Sequence, residues 1–392
     1  MDEPVNAPAK ALNLMLVCGE PSGDLLGAQL MAGLKTLAGD RVRFCGVGGA
    51  AMAREGLKSL YPLDATAVMG LREVVPAIPR ILKHVRRAVD FALQARPDAV
   101  VVIDSPDFTH RVARGIKKRD PSIRTVNYVA PQVWGSRPYR AKAMARYFDL
   151  VLALLPFEPA FFEKYGLKTV FVGHPAVERR TRMVGGAALR AELGIDAAAP
   201  VLALLPGSRS NEIRFLLPPF RAAVQVLARR VPGLVTLLPT VPHVAAKVRA
   251  GTEDWPTVLH LIEGEADKYR AFDAATAALA ASGTVTTELA LARTPLVAAY
   301  RLGWLTHLLM SPLITVKHMT DILLDRMAVP EFYQSAVQPD ALADALVPLL
   351  TDPTARTAQI AALDQATDLL GKDGAPPSLR AARALLDFVE RK

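Results

Sequence analysis

Short apolar runs alternate with longer amphipathic segments along most of this chain, and this alternation limits the folds open to it. The first half contains Leu12–Cys18, 43–47, Ala99–Ile103, 125–129, 150–154 and 169–172. The second half contains Val201–Leu205, 235–238, 277–280 and 296–299. Apolar runs of this length, separated by crossover-sized segments, are typical of parallel strands buried on both faces. The sequence therefore predicts an α/β protein with two doubly wound domains.

The length of 392 residues and the order of these runs predict two domains of similar size. We expect the first over 1–177 and the second over 178–364, with a hinge region in 178–200, which has no strand signal. Terminal helices over 365–392 are expected to pack back on the first domain. In doubly wound sheets ligands bind beyond the carboxyl ends of the strands, so the loops at those ends are the candidate sites.

Composition and cysteine usage favour a folded protein of a reducing compartment. Hydrophobic residues make up 51% of the chain and charged residues 22%, which is not the composition of a disordered segment. Cys18 and Cys45 each lie in an apolar run, so we expect them on buried strands and in no disulfide. The first residues lack a signal-peptide layout and no apolar run approaches about 20 residues, so we expect a cytoplasmic protein without a membrane span.

A formal net charge of +9 indicates an anionic partner, which could be nucleic acid, a membrane surface or a phosphorylated substrate. Nucleic acid fits poorly, because aromatic residues make up only 6% and do not alternate with basic ones. In 68–89, basic residues flank an apolar stripe. A core-facing helix is the more frequent reason for this pattern, and a helix resting on anionic lipid is the other. Lipid contact is expected just before it, at Val68, Met69, Gly70 and Leu71.

Two loops of the first domain carry candidate site residues. In GEPSGD, after the first predicted strand, Ser22 and Gly23 allow close backbone approach to an anion or a sugar. Glu20 is expected at the site, whereas Asp24 is expected to cap a helix. In IDSPDF, after the third strand, Asp107 is placed to accept a proton from a sugar hydroxyl, although helix capping would equally explain an aspartate there.

Two loops of the second domain offer the small residues and backbone N–H groups that suit a diphosphate. In the first, Gly207 and Ser208 precede Arg209, whose guanidinium could neutralise a departing nucleotide without a metal ion. After the second, Glu288 lies one turn into a predicted helix and could accept both hydroxyls of a ribose. The second loop consists of Ser282, Gly283 and Thr284. Together the two loops predict a nucleotide half-site.

Several other chemistries lack their motifs. The histidines show no metal-ligand spacing, and the chain has neither a Walker loop nor GxGxxG after its first strand. We therefore expect no metal and no cofactor, and neither a P-loop NTPase nor a dinucleotide dehydrogenase.

A series of motifs spanning most of the chain resembles the lipid-A-disaccharide synthase family. They are GEPSGD (19–24), AVMGLREV (67–74), IDSPDF (103–108), PQVW (131–134), LPFE (155–158), GHP (173–175), LLPGSR (204–209), ASGT (281–284) and PEFYQ (330–334). The resemblance implies a GT-B glycosyltransferase, in which two Rossmann-like domains face a central cleft, the first binding the acceptor and the second UDP.

The same resemblance implies the reaction. The donor would be UDP-2,3-diacylglucosamine and the acceptor 2,3-diacylglucosamine 1-phosphate, joined with inversion into the β-1,6-linked lipid A disaccharide 1-phosphate. The enzyme would act at the inner face of the inner membrane of a Gram-negative cell, held there peripherally and in part by charge. The alternative is another GT-B enzyme of UDP-sugars, an epimerase or a transferase with a different acceptor. The resemblance also indicates a homodimer.

Individual residues follow from the resemblance as well. Asp107 matches the family's proposed general base, Glu20 and Asp98 match essential acidic positions, and Arg209 matches the arginine on the diphosphate. Glu288 matches a carboxylate that faces the nucleotide. Asp98, however, precedes its strand, at the edge of the sheet opposite the ligand, and this placement predicts a structural role.

Asp321 stands where the family usually has Asn, close to the donor. A second negative charge beside a diphosphate is expected to weaken binding, unless Asp321 is protonated or paired with a base such as Lys317. The resemblance implies a donor-binding position, and the charge puts that role in question.

Overall fold

The computed structural model describes residues 11–63, 71–133, 139–303 and 319–391, with the backbone alone for 71–77. The chain forms two compact units. One comprises Met1–Pro175 and Asp373–Lys392, and the other comprises Ala176–Lys372.

The first unit alternates strands and helices. Its elements are β1 (Leu12–Cys18), α1 (Pro21–Ala38), β2 (Val42–Val47), α2 (Ala50–Arg54), α3 (Leu71–Ala95), β3 (Ala99–Ile103), α4 (Pro106–Arg119), β4 (Thr125–Tyr128), α5 (Tyr139–Met144), β5 (Leu150–Ala153), α6 (Glu158–Glu163) and β6 (Thr169–Phe171). The strands form one parallel sheet in the order β2-β1-β3-β4-β5-β6.

The second unit repeats this plan. Its elements are α7 (Gly186–Glu192), β7 (Val201–Leu205), α8 (Ser210–Arg230), β8 (Val235–Thr240), α9 (Pro242–Gly251), β9 (Val258–Glu263), α10 (Glu265–Ala274), β10 (Ala277–Ala281), α11 (Thr284–Leu291), β11 (Leu296–Tyr300), α12 (Met319–Leu324), β12 (Glu331–Tyr333), α13 (Pro339–Thr351) and α14 (Pro353–Leu369). Its parallel sheet has the order β12-β11-β10-β7-β8-β9.

The central strands of both sheets are buried along their whole length, as their unbroken apolar sequences require. Every strand predicted from an apolar run is present, and the prediction of two doubly wound α/β units is confirmed. Two edge strands, β9 and β12, were not predicted. The first exposes both of its ends and the second has only three residues, so neither presents a continuous apolar run.

The last helix, α15 (Pro377–Glu390), packs on the first unit. A Cβ at Gly33 of α1 would lie only 2.9 Å from the carbonyl oxygen of Ser378, so α1 and α15 approach closely because this glycine has no side chain. The Arg124 guanidinium donates to three carbonyl oxygens at the end of α15, those of Phe388, Val389 and Arg391. The end of the chain is thereby fixed to the first sheet.

The segment 178–200, predicted as a hinge region, lies within the second unit. Its helix α7 packs on α10: the Gly186 N–H donates to Asp273 Oδ2 over 2.7 Å, and a Cβ at Gly186 would lie 2.3 Å from the Ala274 nitrogen. The boundary between the units therefore falls ahead of this segment, after Pro175.

Both cysteines lie on strands and are free, as predicted, with Cys18 buried in β1 and Cys45 half-buried in β2. Burial raises the pKa of the Cys18 thiol to about 12. Among the described helices, none is both long enough and apolar enough to cross a membrane.

Candidate active site

The loops after β1 and β3 lie side by side, because these strands are neighbours in the first sheet. A Cβ at Gly19 would lie 2.9 Å from Ser105 Cβ, and one at Gly23 would lie 3.1 Å from the last carbonyl oxygen of β3. These glycines permit an approach that other residues would block. As a result Ser22 Oγ donates a hydrogen bond to Asp104 Oδ2 over 3.1 Å.

Asp104 is a candidate site residue that sequence reasoning did not select. It and Ser105 have φ angles of 54° and 44°, the left-handed region that residues with a Cβ rarely adopt. Thr109 Oγ1 donates to the Asp104 carbonyl oxygen over 2.6 Å and holds this turn. Backbone strain of about 1–3 kcal/mol per residue persists chiefly where it positions functional groups. No sequence pattern could reveal it, since aspartate is common at such turns.

Asp107 and Glu20 are both exposed at this carboxyl edge of the sheet. Asp107 lies in the first turn of α4, where the helix N-terminus favours its negative charge, and it lines a cavity of about 250 Å³ between α4 and α5. Glu20 immediately precedes α1, and its carbonyl oxygen accepts the Asp24 N–H over 3.1 Å. Both carboxylates are open to a ligand.

Asp24 caps a helix, as predicted, but the helix is α2 rather than the one that contains it. Its buried carboxylate accepts three backbone N–H groups, from Gly49 at 2.7 Å, Ala51 at 2.8 Å and Met52 at 3.0 Å. Both carboxylate oxygens of Asp24 thereby hold α2 against α1, and the residue is structural.

Asp98 lies at the other edge of the same sheet, ahead of β3, and its Oδ2 accepts the Asn13 N–H over 2.8 Å. The contact ties the start of β3 to β1. The structure therefore does not bring Asp98 together with Asp107 and Glu20, and the structural role predicted from its placement agrees with this contact. The resemblance assigned Asp98 as an essential acid. A place in the site does not fit the geometry, because the whole length of β3 lies between Asp98 and the carboxyl edge of the sheet.

The second unit contains a cavity of about 500 Å³ at the carboxyl edge of its sheet, bounded by the residues that follow β7, β8 and β10 and by the ends of β11 and β12. Seven residues predicted at the nucleotide line it together. They are Gly207, Ser208, Arg209, Ser282, Gly283, Thr284 and Glu288. Two loops far apart in sequence thus meet, because β7 and β10 are neighbouring parallel strands.

The backbone N–H groups expected to bind phosphate at the first loop already hold an anion. Glu212 Oε2 accepts the Ser208 N–H at 2.8 Å and the Arg209 N–H at 3.1 Å, and its Oε1 pairs with the Arg209 guanidinium at 3.0 Å. Gly207, at φ 117°, makes this possible, since a Cβ there would lie 2.4 Å from Glu212 Cβ. The Glu212 carboxylate therefore occupies the N–H groups that the sequence predicted to bind a phosphate.

The second loop is only partly available to a ligand. The Ser282 N–H donates to the Ala299 carbonyl oxygen at 2.8 Å, and Ser282 Oγ donates to Glu331 Oε1 at 2.6 Å. The expectation that the Ser282 N–H binds the diphosphate is therefore wrong in this structure, because that group continues the β10–β11 ladder. Gly283 differs: a Cβ on it would meet nothing within 4 Å, so the backbone at the start of α11 is open to a ligand.

Glu288 is buried beneath the cavity and surrounded by donors. Its Oε1 accepts from Arg179 Nη1 at 2.7 Å and from Tyr269 Oη at 3.3 Å, and its Oε2 accepts from Lys268 Nζ at 3.0 Å. Burial lowers the pKa of Arg179, but the neighbouring Glu288 and Tyr269 outweigh it and raise the pKa overall. A carboxylate has about four lone pairs, so one remains for a ribose hydroxyl. Accepting both hydroxyls would require a protein donor to move.

Three further residues that line this cavity were not predicted as site residues from the sequence. Lys268 of α10 brings a positive charge to it, and Tyr300 and Tyr333 stack with ring centroids 6.2 Å apart and planes 13° apart. Burial raises the pKa of Tyr300, and the nearby Glu212 adds to the effect. The motif PEFYQ (330–334) contained the signal for Tyr333, while nothing in the sequence marked Lys268.

Asp321 lies on α12 and points to the following loop. Its Oδ1 accepts the N–H groups of Ala328 at 2.8 Å and Val329 at 3.1 Å. The Asp321 carboxylate is therefore hydrogen-bonded to the backbone.

Two predictions concern residues outside the described ranges. They are the pairing of Asp321 with Lys317 and the lipid contact at Val68, Met69 and Gly70. Leu71 begins α3, and the structure describes only its backbone.

Comparison with solved structures identifies the class. The chain is similar in fold to the UDP-GlcNAc 2-epimerase from Neisseria meningitidis bound to UDP-GlcNAc, with a TM-score of 0.62 at 12% identity over 97% of this chain and 100% of that one. MurG of Acinetobacter baumannii gives a TM-score of 0.58 at 17% identity, covering 97% and 100%. The fold is thus the two-domain Rossmann-like architecture of GT-B glycosyltransferases and related epimerases.

Sequence comparison is more specific. The family model described as lipid-A-disaccharide synthetase matches residues 14–375. The lipid-A-disaccharide synthase of Rhodospirillum centenum is 46% identical over 385 residues, covering 98% of this chain and 96% of that protein. The enzyme of Paramagnetospirillum magneticum is 44% identical, covering 96% and 98%. The chain belongs to the lipid-A-disaccharide synthase family.

Proposed function

We propose that this chain transfers a diacylglucosaminyl group from UDP-2,3-diacylglucosamine to 2,3-diacylglucosamine 1-phosphate, forming lipid A disaccharide 1-phosphate and UDP. The observation that carries this proposal is membership of the family along nearly the whole chain, with relatives of that name at 46% and 44% identity. The cavity of the second unit supports the nucleotide part, because both loops predicted to hold a diphosphate line it.

The transfer is a single displacement with inversion. The acceptor 6-hydroxyl gives its proton to the Asp107 carboxylate as its oxygen bonds to the anomeric carbon, and the bond from that carbon to the UDP oxygen breaks with its electron pair. Positive charge develops on the donor sugar, as in glycoside hydrolysis. Asp107 suits the role of base because it is exposed in the first turn of α4 and lines a cavity. Glu20 and Asp104 are the neighbouring carboxylates of this edge.

The leaving diphosphate is stabilised in the second unit. It would take the Ser208 and Arg209 N–H groups from Glu212, and its charge would draw the guanidinium of Arg209, a side chain that is 74% exposed, away from its ion pair with Glu212. The open backbone at Gly283 and the ammonium of Lys268 lie on the same cavity. No group of three or more His, Cys, Asp or Glu side chains capable of holding a metal occurs in the described ranges.

The membrane partner is an anionic inner-leaflet surface, contacted peripherally by α3. The apolar stripe of this helix divides: Val85, Ala88 and Val89 face the core, whereas Ile78 and Leu82 are 45% and 38% exposed. Exposed basic residues lie on the same helix beside and after that pair, at Arg80, Lys83, Arg86 and Arg87. High salt should therefore release part of the protein from anionic vesicles, and full retention would contradict a charge-based anchor.

We also propose that the protein forms a homodimer, which sedimentation of the purified protein would test.

The decisive experiment incubates the purified protein with both substrates in EDTA and follows disaccharide and UDP by mass spectrometry. Formation of both is expected and would also establish independence from metal. A folded protein that forms neither, with metal restored, would overturn the proposed function in favour of another UDP-sugar reaction.

Two variants test the base. Asp107→Asn is expected to lose most turnover while it binds both substrates normally, since only proton transfer is removed; general base catalysis contributes about 10²–10⁴-fold. Asp104→Asn serves as the comparison in the same turn. Near-normal turnover of Asp107→Asn beside an inactive Asp104→Asn would move the base to Asp104.

A further inference from the structure

A second cavity, of about 250 Å³, lies in the first unit between α4 and α5. It is too small for a whole sugar with acyl chains, since pockets for drug-sized ligands begin at about 300 Å³. Asp107, the proposed base, is one of its lining residues. The cavity therefore suits one compact group of a substrate whose reacting hydroxyl lies at Asp107.

The lining of this cavity is strongly positive. Arg111, Arg114 and Arg140 contribute three positive charges, and Asp107 is the one acidic residue among the described lining residues. Within the part of the chain that the structure describes, none of the three guanidinium groups forms an ion pair with a carboxylate. Such uncompensated charge around a small concave space attracts an anion.

Two of the arginines are held in place. Arg111 Nε donates to the Asp107 carbonyl oxygen over 2.8 Å, which leaves its two terminal nitrogens for a ligand. The Arg114 guanidinium lies 4.9 Å from the centre of the Tyr147 ring, a cation–π contact that orients its plane. A fixed planar fork matches the oxygens of a phosphate in two-point contact.

The floor of the cavity does not neutralise this charge. His110 is buried there, with Nδ1 3.2 Å from Tyr147 Oη and Nε2 3.4 Å from Asn127 Nδ2. Burial, then the charges of Arg140 and Arg114, lower the pKa of His110 to about 4, so the ring is neutral near pH 7. A neutral His110 adds no charge of its own to the three arginines.

We propose that Arg111, Arg114 and Arg140 form the binding site for the phosphate monoester of the acceptor sugar. Asp107, Arg111 and Arg114 share one face of α4 at i, i+4 and i+7, so the arginines lie about 6 Å and about 10 Å along the helix from the base. The acceptor carries its phosphate on C1 and its reacting hydroxyl on C6, which is attached to C5, so the two groups extend from the ring carbons on either side of the ring oxygen and several ångströms separate them. This inference rests on the proposed function for the identity of the sugar.

The test compares binding of glucosamine 1-phosphate and of glucosamine by calorimetric titration. The wild-type protein is expected to prefer the phosphate, and Arg111→Gln and Arg114→Gln are each expected to weaken it about tenfold without changing the affinity for glucosamine. Lys118→Gln is the matched control, because it removes one positive charge from the same face of α4 outside the cavity. It should change neither affinity by more than about twofold.

Turnover gives a second readout. Arg114→Gln should raise the KM for the phosphorylated acceptor by the same factor and leave the KM for the UDP-sugar unchanged. Equal loss for glucosamine and its phosphate, or no preference for the phosphate in the wild type, would overturn the inference. So would loss of binding to anionic vesicles with glucosamine 1-phosphate unaffected, since the arginines would then contact lipid. Binding through the arginines without disaccharide formation would instead overturn the proposed function alone.

Discussion

Replacement of Glu288 by Gln should destabilise the second unit more than any loss of a surface ion pair. The carboxylate is 6% exposed and faces two cations, Arg179 at 2.7 Å and Lys268 at 3.0 Å, whose side chains are each 24% exposed. Breaking a buried ion pair costs about 3–5 kcal/mol, because the remaining charge stays in the interior without a partner. Since both cations keep some contact with water, we expect about 2–3 kcal/mol here.

For a unit of this size, each kcal/mol lowers the melting temperature by about 2–4 °C, so Glu288→Gln should lower it by roughly 5–10 °C. The assay is a thermal melt followed by circular dichroism, with and without UDP. Glu192→Gln is the matched control: Glu192 pairs with Arg270 in the same unit, but its side chain is 57% exposed, and its loss should cost less than about 1 kcal/mol. A Glu288→Gln variant that melts together with Glu192→Gln would refute the claim that burial makes this network important.

Three further predictions concern other parts of the molecule. Asp24→Ala leaves three N–H groups at the start of α2, those of Gly49, Ala51 and Met52, without their acceptor and should cost about 2–3 kcal/mol in the first unit, measured by urea unfolding; an unchanged midpoint would remove its structural role. The folded-state pKa of His110, about 4, lies below its usual 6.5, so the unfolded chain binds a proton first as the pH falls. The contribution of neutral His110 to the free energy of unfolding is fully present above about pH 6.5 and should fall by roughly 3 kcal/mol as the pH falls to 4. The free energy of unfolding of His110→Gln should therefore decline less steeply over this range. Equal pH dependence in both proteins would contradict this. Asp321→Asn keeps an acceptor oxygen for the Ala328 and Val329 N–H groups, so UDP affinity should change by less than about twofold, and a much tighter complex would restore the view that its charge opposes the diphosphate.

The prediction of fold from sequence succeeded where the pattern was long and regular. The central strands β3, β5, β7 and β10 are apolar along their length, because both faces of a parallel sheet are covered by helices. The strand Glu331–Tyr333 was not predicted, because it has only three residues and begins with a polar one, as a loop segment would. Its identity depends on pairing with a neighbour that is distant in sequence.

The sequence predicted which loops lie together at one edge of the sheet, but not which hydrogen bonds their N–H groups make. The loops that hold Arg209 and Gly283 both follow parallel strands, so sequence order alone placed them at one edge. Whether an N–H group in such a loop is available depends on which acceptor reaches it in space. Glu212 reaches Ser208 and Arg209, and the carbonyl group of β11 reaches Ser282.

The sequence by itself determined the class of fold, the family and the loops where chemistry can occur, because hydrophobic period and motif order are local properties of the chain. The sequence predicted structural roles for Asp24 and Asp98, but only the tertiary structure decided which groups hold them, that Glu288 is bound by protein donors, and that Asp107 is open. Asp24, Asp98 and Glu288 are engaged by groups distant in sequence, whereas Asp107 stays exposed beside the arginines of α4. The physical reason is that a carboxylate's role is set by the donors and the water within hydrogen-bonding distance, and folding alone brings those donors to it.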